Sequence, residues 1–245
     1  DVQNGTLSLA AGGTHSGTFT GAAGKILIFG GGTHSLGSGA SITGAETLQI
    51  PAGSVNLLSG SSISSLTGPA QLNGGVLDIA TGAAATLSTF ALSGGTQQGT
   101  GTLTINGRLD WTGGTMTGAG LTDVNGDASL SGTLTKDITI RSLNLDGPTS
   151  WSGWGAIRTG SVATISNTGT FEAQNDVTFS NVLGGPASSF VNTGTFRKTP
   201  GTGTTTVGIA MNNNGTIDIQ SGEILLSGGG TSSGLFTGAA AGTLE

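Results

Sequence analysis

Gly12-Gly13-Thr14-His15-Ser16 returns as Gly31-Gly32-Thr33-His34-Ser35, an offset of 19. Gly94-Gly95-Thr96 returns as Gly113-Gly114-Thr115 at the same offset. Asn167-Thr168-Gly169-Thr170-Phe171 returns as Asn192-Thr193-Gly194-Thr195-Phe196 at an offset of 25, and Asn213-Asn214-Gly215-Thr216-Ile217 follows at a further 21. An elastic unit of about 20 residues is the mark of a repeat architecture. Within the units, Thr6-Leu7-Ser8-Leu9, Thr102-Leu103-Thr104-Ile105 and Asp137-Ile138-Thr139-Ile140 alternate polar and apolar residues. That is the period of a strand with one face buried. Gly-Gly and Asn-Gly pairs interrupt these runs as turns do. No apolar spacing of three to four persists long enough for a helix, and abundant Gly, Ser and Thr weaken one further.

Short strands in coils of about 20 residues predict an all-β fold: a single-stranded parallel β-helix, or β-solenoid, of right hand. A propeller blade would repeat at about 40–50 residues, and a sandwich leaves near-identical neighbouring turns unexplained. The alternation predicts that Leu7, Leu9, Leu48, Ile50, Leu77, Ile79, Leu103, Ile105, Ile138, Ile140, Phe171, Phe196, Ile217, Ile219 and Ile224 point inward. Ser8, Gln49, Asp78, Thr104, Thr139 and Asp218 are expected to face water, since a strand has only two sides.

A longer period encloses the short one. Asp1-Val2-Gln3-Asn4-Gly5 is echoed by Asp218-Ile219-Gln220-Ser221-Gly222, and Gly12-Gly13-Thr14 by Gly229-Gly230-Thr231, so residues 1–28 and 218–245 are equivalent at an offset of 217. Residues 1–245 therefore read as one continuous solenoid segment, with both end stretches in the same phase of the long period. Neither end reads as a polar capping unit. Open β edges template further strands, so the expected partners are neighbouring repeats of the same fibre, joined head-to-tail.

Composition removes other classes. Gly supplies 48 of 245 residues but not every third one, which excludes collagen. A hydrophobic share of 34% with a net charge of −6 excludes charge-driven disorder. The absence of Cys removes disulfides and thiol chemistry and fits an exported bacterial protein. Seven basic against 13 acidic residues leave no basic patch, so no nucleic acid is expected as partner. No apolar run is long enough to cross a bilayer, so no membrane span is expected. The chain opens at Asp1 with neither Met nor signal peptide, as a processed product or a piece of something longer would.

Coils built on Gly-Thr-Leu-x-Leu, Gly-Gly-Thr-x-x-Gly and Asn-x-Gly-Thr-Phe resemble the β-helical stalks of filamentous-haemagglutinin-like and autotransporter-like bacterial surface proteins. The resemblance is one of repeat style and covers essentially the whole chain. It implies secretion, a long rigid rod and a role in adhesion or surface display, and it supplies no catalytic residues.

Residues with chemical potential are few. His15 and His34, in identical contexts on adjacent coils, read as two exposed turn residues. A shared metal is the sharper alternative, but no third ligand repeats at that phase and structural zinc takes four. Asp123-Val124-Asn125-Gly126-Asp127 opens like a calcium loop, but Ala128 and Leu134 stand where Gly and the bidentate Glu belong, so a turn is expected. Trp111 shares parity with Leu109 and should be buried, whereas Trp154 in Ser152-Gly153-Trp154-Gly155 is the candidate for exposure and for stacking on a sugar. Trp154, His15 and His34 are thus the candidate ligand-facing residues. Asn167, Asn192 and Asn213 are expected to stack as a structural amide ladder at the turns. The seven Lys and Arg are scattered, and no long loop suggests a cleft wall, so no catalytic residue, metal or cofactor is expected. Thr102-Leu103-Thr104, Thr133-Leu134-Thr135 and Thr204-Thr205-Thr206 raise ice binding, which needs such pairs at one phase in every coil. The expected function is a structural segment of a secreted or cell-surface fibre or adhesin stalk, extracellular and not an enzyme. The alternative is an adhesin module binding a host or matrix glycan on a solenoid face, with ice binding third.

Overall fold

A very short strand cannot be stable alone, so each must pair with its counterpart in the next coil. The computed structural model describes residues 1–44, 46–239 and 242–244. The parts of the long echo that fall at 240–241 and 245 therefore lie outside the described residues. The fold is all-β, a solenoid of about 11 turns with about 21 residues between equivalent positions, and no helix occurs among the described residues. The strands form a 20-stranded and a 12-stranded sheet. The chain divides into two compact units, Asp1–Asp110 with Gly114–Asp123, and Trp111–Gly113 with Val124–Glu245.

Most coils have three strands, and in two coils the first two strands run together as Ala84–Leu92 and Thr102–Trp111. In the first unit Thr18–Gly21, Ile26–Phe29 and Thr33–Leu36 pair in parallel with Ser41–Gly44, Thr47–Ile50 and Ser54–Leu57 of the next coil. In the second, Thr164–Asn167, Thr170–Ala173 and Thr178–Asn181 pair with Ser189–Asn192, Thr195–Lys198 and Thr204–Gly208. Coil length is elastic: Thr96 pairs with Thr115, an offset of 19, and Thr178 with Thr206, an offset of 28.

Parallel pairing sets like on like inside. Phe171 pairs with Phe196, and their rings stack at 5.2 Å with an interplanar angle of 7°. Trp151, Phe179 and Phe190 pack against Phe171, all fully buried. Each such side chain contributes roughly 1.5–3 kcal/mol by leaving water. In the first unit Leu27, Leu48, Ile50, Val55, Leu57, Leu77 and Ile79 form an aliphatic column.

The expected register holds for most of its positions and fails at three places. Ile140 is 48% exposed, because its backbone turns into the left-handed region at φ 64° immediately after the strand Lys136–Thr139. Leu7 and Leu9, in Thr6–Leu9, are half-buried. Asp218 is buried rather than solvated, covered by Arg197, Gln220 and Thr237, which all donate to its carboxylate. Burial works to raise the Asp218 carboxyl, but donation from Gln220, Arg197 and Thr237, with the Arg197 charge, holds it below the ordinary value.

The long echo does not return to the same phase. Thr6–Leu9 lies in the 20-stranded sheet, whereas its counterpart in Gly222–Leu225 lies in the 12-stranded one. The local pairing is preserved, since Val2 bridges Gly21 and Ile219 pairs with Gly238, both at the same offset. With equivalent positions about 21 residues apart, the offset of 217 corresponds to about ten and a third coils. Equivalent sequences therefore sit one strand further round the coil.

The Gly of Asn-x-Gly-Thr is explained by backbone proximity. A Cβ on Gly194 would lie 2.0 Å from the carbonyl oxygen of Gly169, and one on Gly215 would lie 2.0 Å from that of Gly194. Backbone cannot yield there as a flexible side chain could. Gly194→Ala is therefore expected to cost about 1–3 kcal/mol, whereas Gly17→Ala, with open space around it, should be nearly neutral. Urea midpoints of the two variants check this, and equal stabilities would contradict it.

Candidate functional site

In the second unit one corner recurs on three successive coils. Residues 152–156 link Thr149–Trp151 to Ile157–Gly160, residues 174–177 link Thr170–Ala173 to Thr178–Asn181, and residues 199–203 link Thr195–Lys198 to Thr204–Gly208. Together they enclose a cleft of about 240 Å³ lined by Gly153, Trp154, Gln174, Asn175, Asp176 and Gly201. The stretch 199–203 belongs to a long coil, the one that carries the chain from Thr178 to its partner Thr206. A cleft wall is thus present where the sequence suggested none.

Trp154 stands 77% exposed at the cleft, while Trp111 and Trp151 are fully buried. Parity explains the difference. Trp111 and Trp151 occupy inward strand positions, whereas Trp154 follows Gly153, whose φ of 77° turns the chain outward.

The cleft floor is held from beneath by a cation. Lys198 is fully buried, and its Nζ donates to the Asn175 carbonyl at 3.0 Å, to Asp176 Oδ1 at 2.7 Å and to Thr205 Oγ1 at 2.9 Å. Asp176 Oδ2 also accepts from the Gly203 amide at 3.2 Å. Asn175 is only 7% exposed, and neither the nitrogen nor the oxygen of its side-chain amide has a partner. Gln174 donates to Glu172 at 2.6 Å.

The histidines lie inside, not at exposed turns. His34 is 1% exposed, in the strand Thr33–Leu36, and His15 is half-buried in Gly13–His15. The sequence echo would set Gly13 beside Gly32, but Gly13 pairs with His34, two positions further on. An even slip keeps the face, so the rings still stack, 5.3 Å apart at 18°, against Phe19 and Phe29. Gly31 O accepts from His34 Nε2 at 3.0 Å, so neutral His34 offers Nδ1 as acceptor to His15 Nε2–H at 3.1 Å. Burial, then the repulsion that arises when both rings are protonated, lowers the His15 pKa. The facing nitrogens are thus committed to each other, and His34 is shut off from any external ligand. Among the described residues no three His, Cys, Asp or Glu side chains gather to hold a metal ion.

Asn167, Asn192 and Asn213 stack inside the second unit rather than at its surface. Asn167 Nδ2 donates to Asn192 Oδ1 at 2.8 Å, and Asn192 Nδ2 to Asn213 Oδ1 at 2.8 Å. The same nitrogens also reach the Thr195 and Thr216 carbonyls at 3.0 Å. The ladder ends at Leu145, which pairs with Asn167, and at Ser232, which accepts from Asn213 at 3.3 Å.

The basic residues, scattered in sequence, are not all at the surface: Lys136, Arg141 and Lys198 are fully buried. Strand parity was the available signal for Lys136, which shares its side of the strand with Ile138. Its Nζ reaches the Leu134 carbonyl at 3.2 Å, and burial lowers its pKa from 10.5 to about 8.

No family model, curated protein or solved structure matches the chain.

Removing the middle rung of the amide ladder leaves buried partners unsatisfied. Asn192→Ala should cost about 2–4 kcal/mol, against little for exposed Asn4→Ala, as read from urea unfolding. A loss no larger than that of Asn4→Ala would refute the ladder's contribution.

Lys136 couples stability to pH. Its folded pKa lies below the unfolded one, so the native state binds fewer protons between pH 8 and 10.5 and gains stability as pH rises through that window. Below about pH 8 the full penalty applies, about 3 kcal/mol from a shift of this size. Lys136→Met is expected to be more stable than the parent at neutral pH, with the gap closing toward pH 10.5. A gap independent of pH would show that Lys136 does not titrate there.

Proposed function

We propose that the chain is a structural segment of a long secreted or cell-surface fibre or adhesin stalk, a rigid repetitive rod without catalysis. The observation that carries this reading is the coil-to-coil register. Backbone pairing, aromatic stacking and the amide ladder all run along the coil axis within a unit, which suits a spacer that bears load lengthwise. Neighbouring repeats of the same fibre, head-to-tail, are the proposed partners, in keeping with the long echo at an offset of 217. If that period continues, each copy presents its features one strand further round the coil. Ice binding finds no support: Thr102–Thr104 lies in Thr102–Trp111 of the larger sheet, Thr204–Thr206 in Thr204–Gly208 of the smaller, and Thr133–Thr135 in no strand.

Antibodies against this segment test the reading on the producing cells. Labelling of intact, unpermeabilised cells is expected, on thin extended structures visible by electron microscopy. Labelling confined to permeabilised cells would overturn it.

A further inference from the structure

The histidine pair inside the first unit has no role in a passive rod. His34 is buried in Thr33–Leu36, and His15 is half-buried in Gly13–His15, the three-residue strand that pairs with it. On the next coil the position beside His34 is filled by apolar Val55. The partners of the pair fix its proton inventory. Gly31 O accepts the Nε2–H of His34 at 3.0 Å, and His34 Nδ1 accepts from His15 Nε2–H at 3.1 Å. One further proton fits on His15 Nδ1 with both hydrogen bonds kept. A second can go only to His34 Nδ1. There it would set two N–H donors face to face at 3.1 Å, on two cationic rings with centroids 5.3 Å apart.

We infer that this pair is an acid-operated latch, which holds Gly13–His15 on Thr33–Leu36 while the two rings share a proton and releases it when both are protonated. The surroundings supply no counter-charge. Phe19 and Phe29 pack edge-on against the rings. The strands Thr6–Leu9, Thr18–Gly21, Ile26–Phe29, Ser41–Gly44, Thr47–Ile50 and Ser54–Leu57 contain no Asp, Glu, Lys or Arg. The charged groups at their ends are Asp1, Lys25 and Glu46. Asp1 is exposed and bonded to Gln3, and Lys25 carries the same sign as a protonated ring. Glu46 lies against Gly21 and Gly44, and burial raises its carboxyl, so it sheds its charge as acid is added. A released histidine takes its proton near pH 6.5, whereas the closed pair takes both only at lower pH. Opening therefore binds protons, so the contact is at full strength above about pH 6.5 and weakens as the pH falls below it. The pairs Gly13 with His34, Thr14 with Ser35 and His15 with Leu36 are those lost. Their loss leaves an open edge on Thr33–Leu36 that can accept another strand. The latch goes beyond the rod reading and does not depend on it.

The test is hydrogen exchange of the purified chain at about pH 7.5 and about pH 5, corrected for the intrinsic pH dependence of amide exchange. Protection in Gly13–His15 and Thr33–Leu36 should fall about tenfold or more, because each proton bound on opening raises the opening constant by up to about tenfold per pH unit. Protection in Thr164–Asn167 and Thr195–Lys198 should hold. Nitrogen-15 spectra of the imidazoles should show one proton taken up while the strands stay protected, and the second only as protection is lost. The double variant His15→Gln/His34→Gln, which cannot titrate, should lose the acid response, whereas Glu46→Gln should keep it. The proposal is overturned by unchanged protection at the lower pH, or by a loss that spreads equally through the second unit. An acid response that persists in the double variant or vanishes in Glu46→Gln overturns it too, as do two rings that both protonate near pH 6.5 with the strands closed. If the double variant does not fold, the imidazole titration of the parent chain decides. Failure here leaves the rod reading intact, since surface labelling tests that independently.

Discussion

Parallel hydrogen bonding between coils is the constraint on which the rest of this molecule depends. It sets successive coils about 4.8 Å apart and places each residue beside its own counterpart. A position is therefore occupied by a side chain that tolerates its own kind as neighbour. Phenylalanine does so by stacking, as Phe171 does on Phe196. Asparagine does so because its amide donates on one side and accepts on the other, as through Asn167, Asn192 and Asn213. Glycine does so where backbones come too close for a Cβ, as at Gly169, Gly194 and Gly215. Charges cannot stack on themselves and alternate instead. Asp137 pairs with Arg158, and Arg197 follows Glu172 and precedes Asp218.

The same constraint explains how polar groups survive inside a narrow core. A three-strand coil has little apolar volume, so an inward polar residue needs a partner within its own or an adjacent coil. His34 finds the Gly31 carbonyl and His15, and Lys198 finds Asn175, Asp176 and Thr205. Lys136 reaches the Leu134 carbonyl, and burial still lowers its pKa. Glu46, fully buried, shifts the opposite way, its carboxyl raised by burial. Corners are free of the inward demand, and there the chain can change length without disturbing the stack. The cleft at Trp154 arises at such a place.

Repetition on the scale of one coil, alternation within strands and Gly-rich turns were legible in the residues, and they carry the β-solenoid. Strand parity also placed Trp111 inside and left Trp154 out. It did not anticipate Ile140, because a left-handed backbone immediately after a strand cancels alternation. Parity pointed Lys136 inward beside Ile138, but a charged side chain in a short alternating run reads as solvated until its partners across the coils are known. The cleft was invisible for a related reason. Trp154, Asn175 and Gly201 stand a full coil apart from one another in sequence and meet only because each falls at the same corner of successive coils.

By itself, the sequence determined that the chain winds into stacked coils, since a period-two pattern broken by glycine recurs in near-identical units of about 20 residues. The tertiary structure decided the phase. The offset between paired positions runs from 19 at Thr96 to 28 at Thr178, and the residues alone carry no running total of those lengths. The identical His contexts are therefore two positions out of register, and the long echo lands one strand further round. Which residues meet across coils follows from hydrogen bonds between segments distant in sequence, and those form only when the whole stack is assembled.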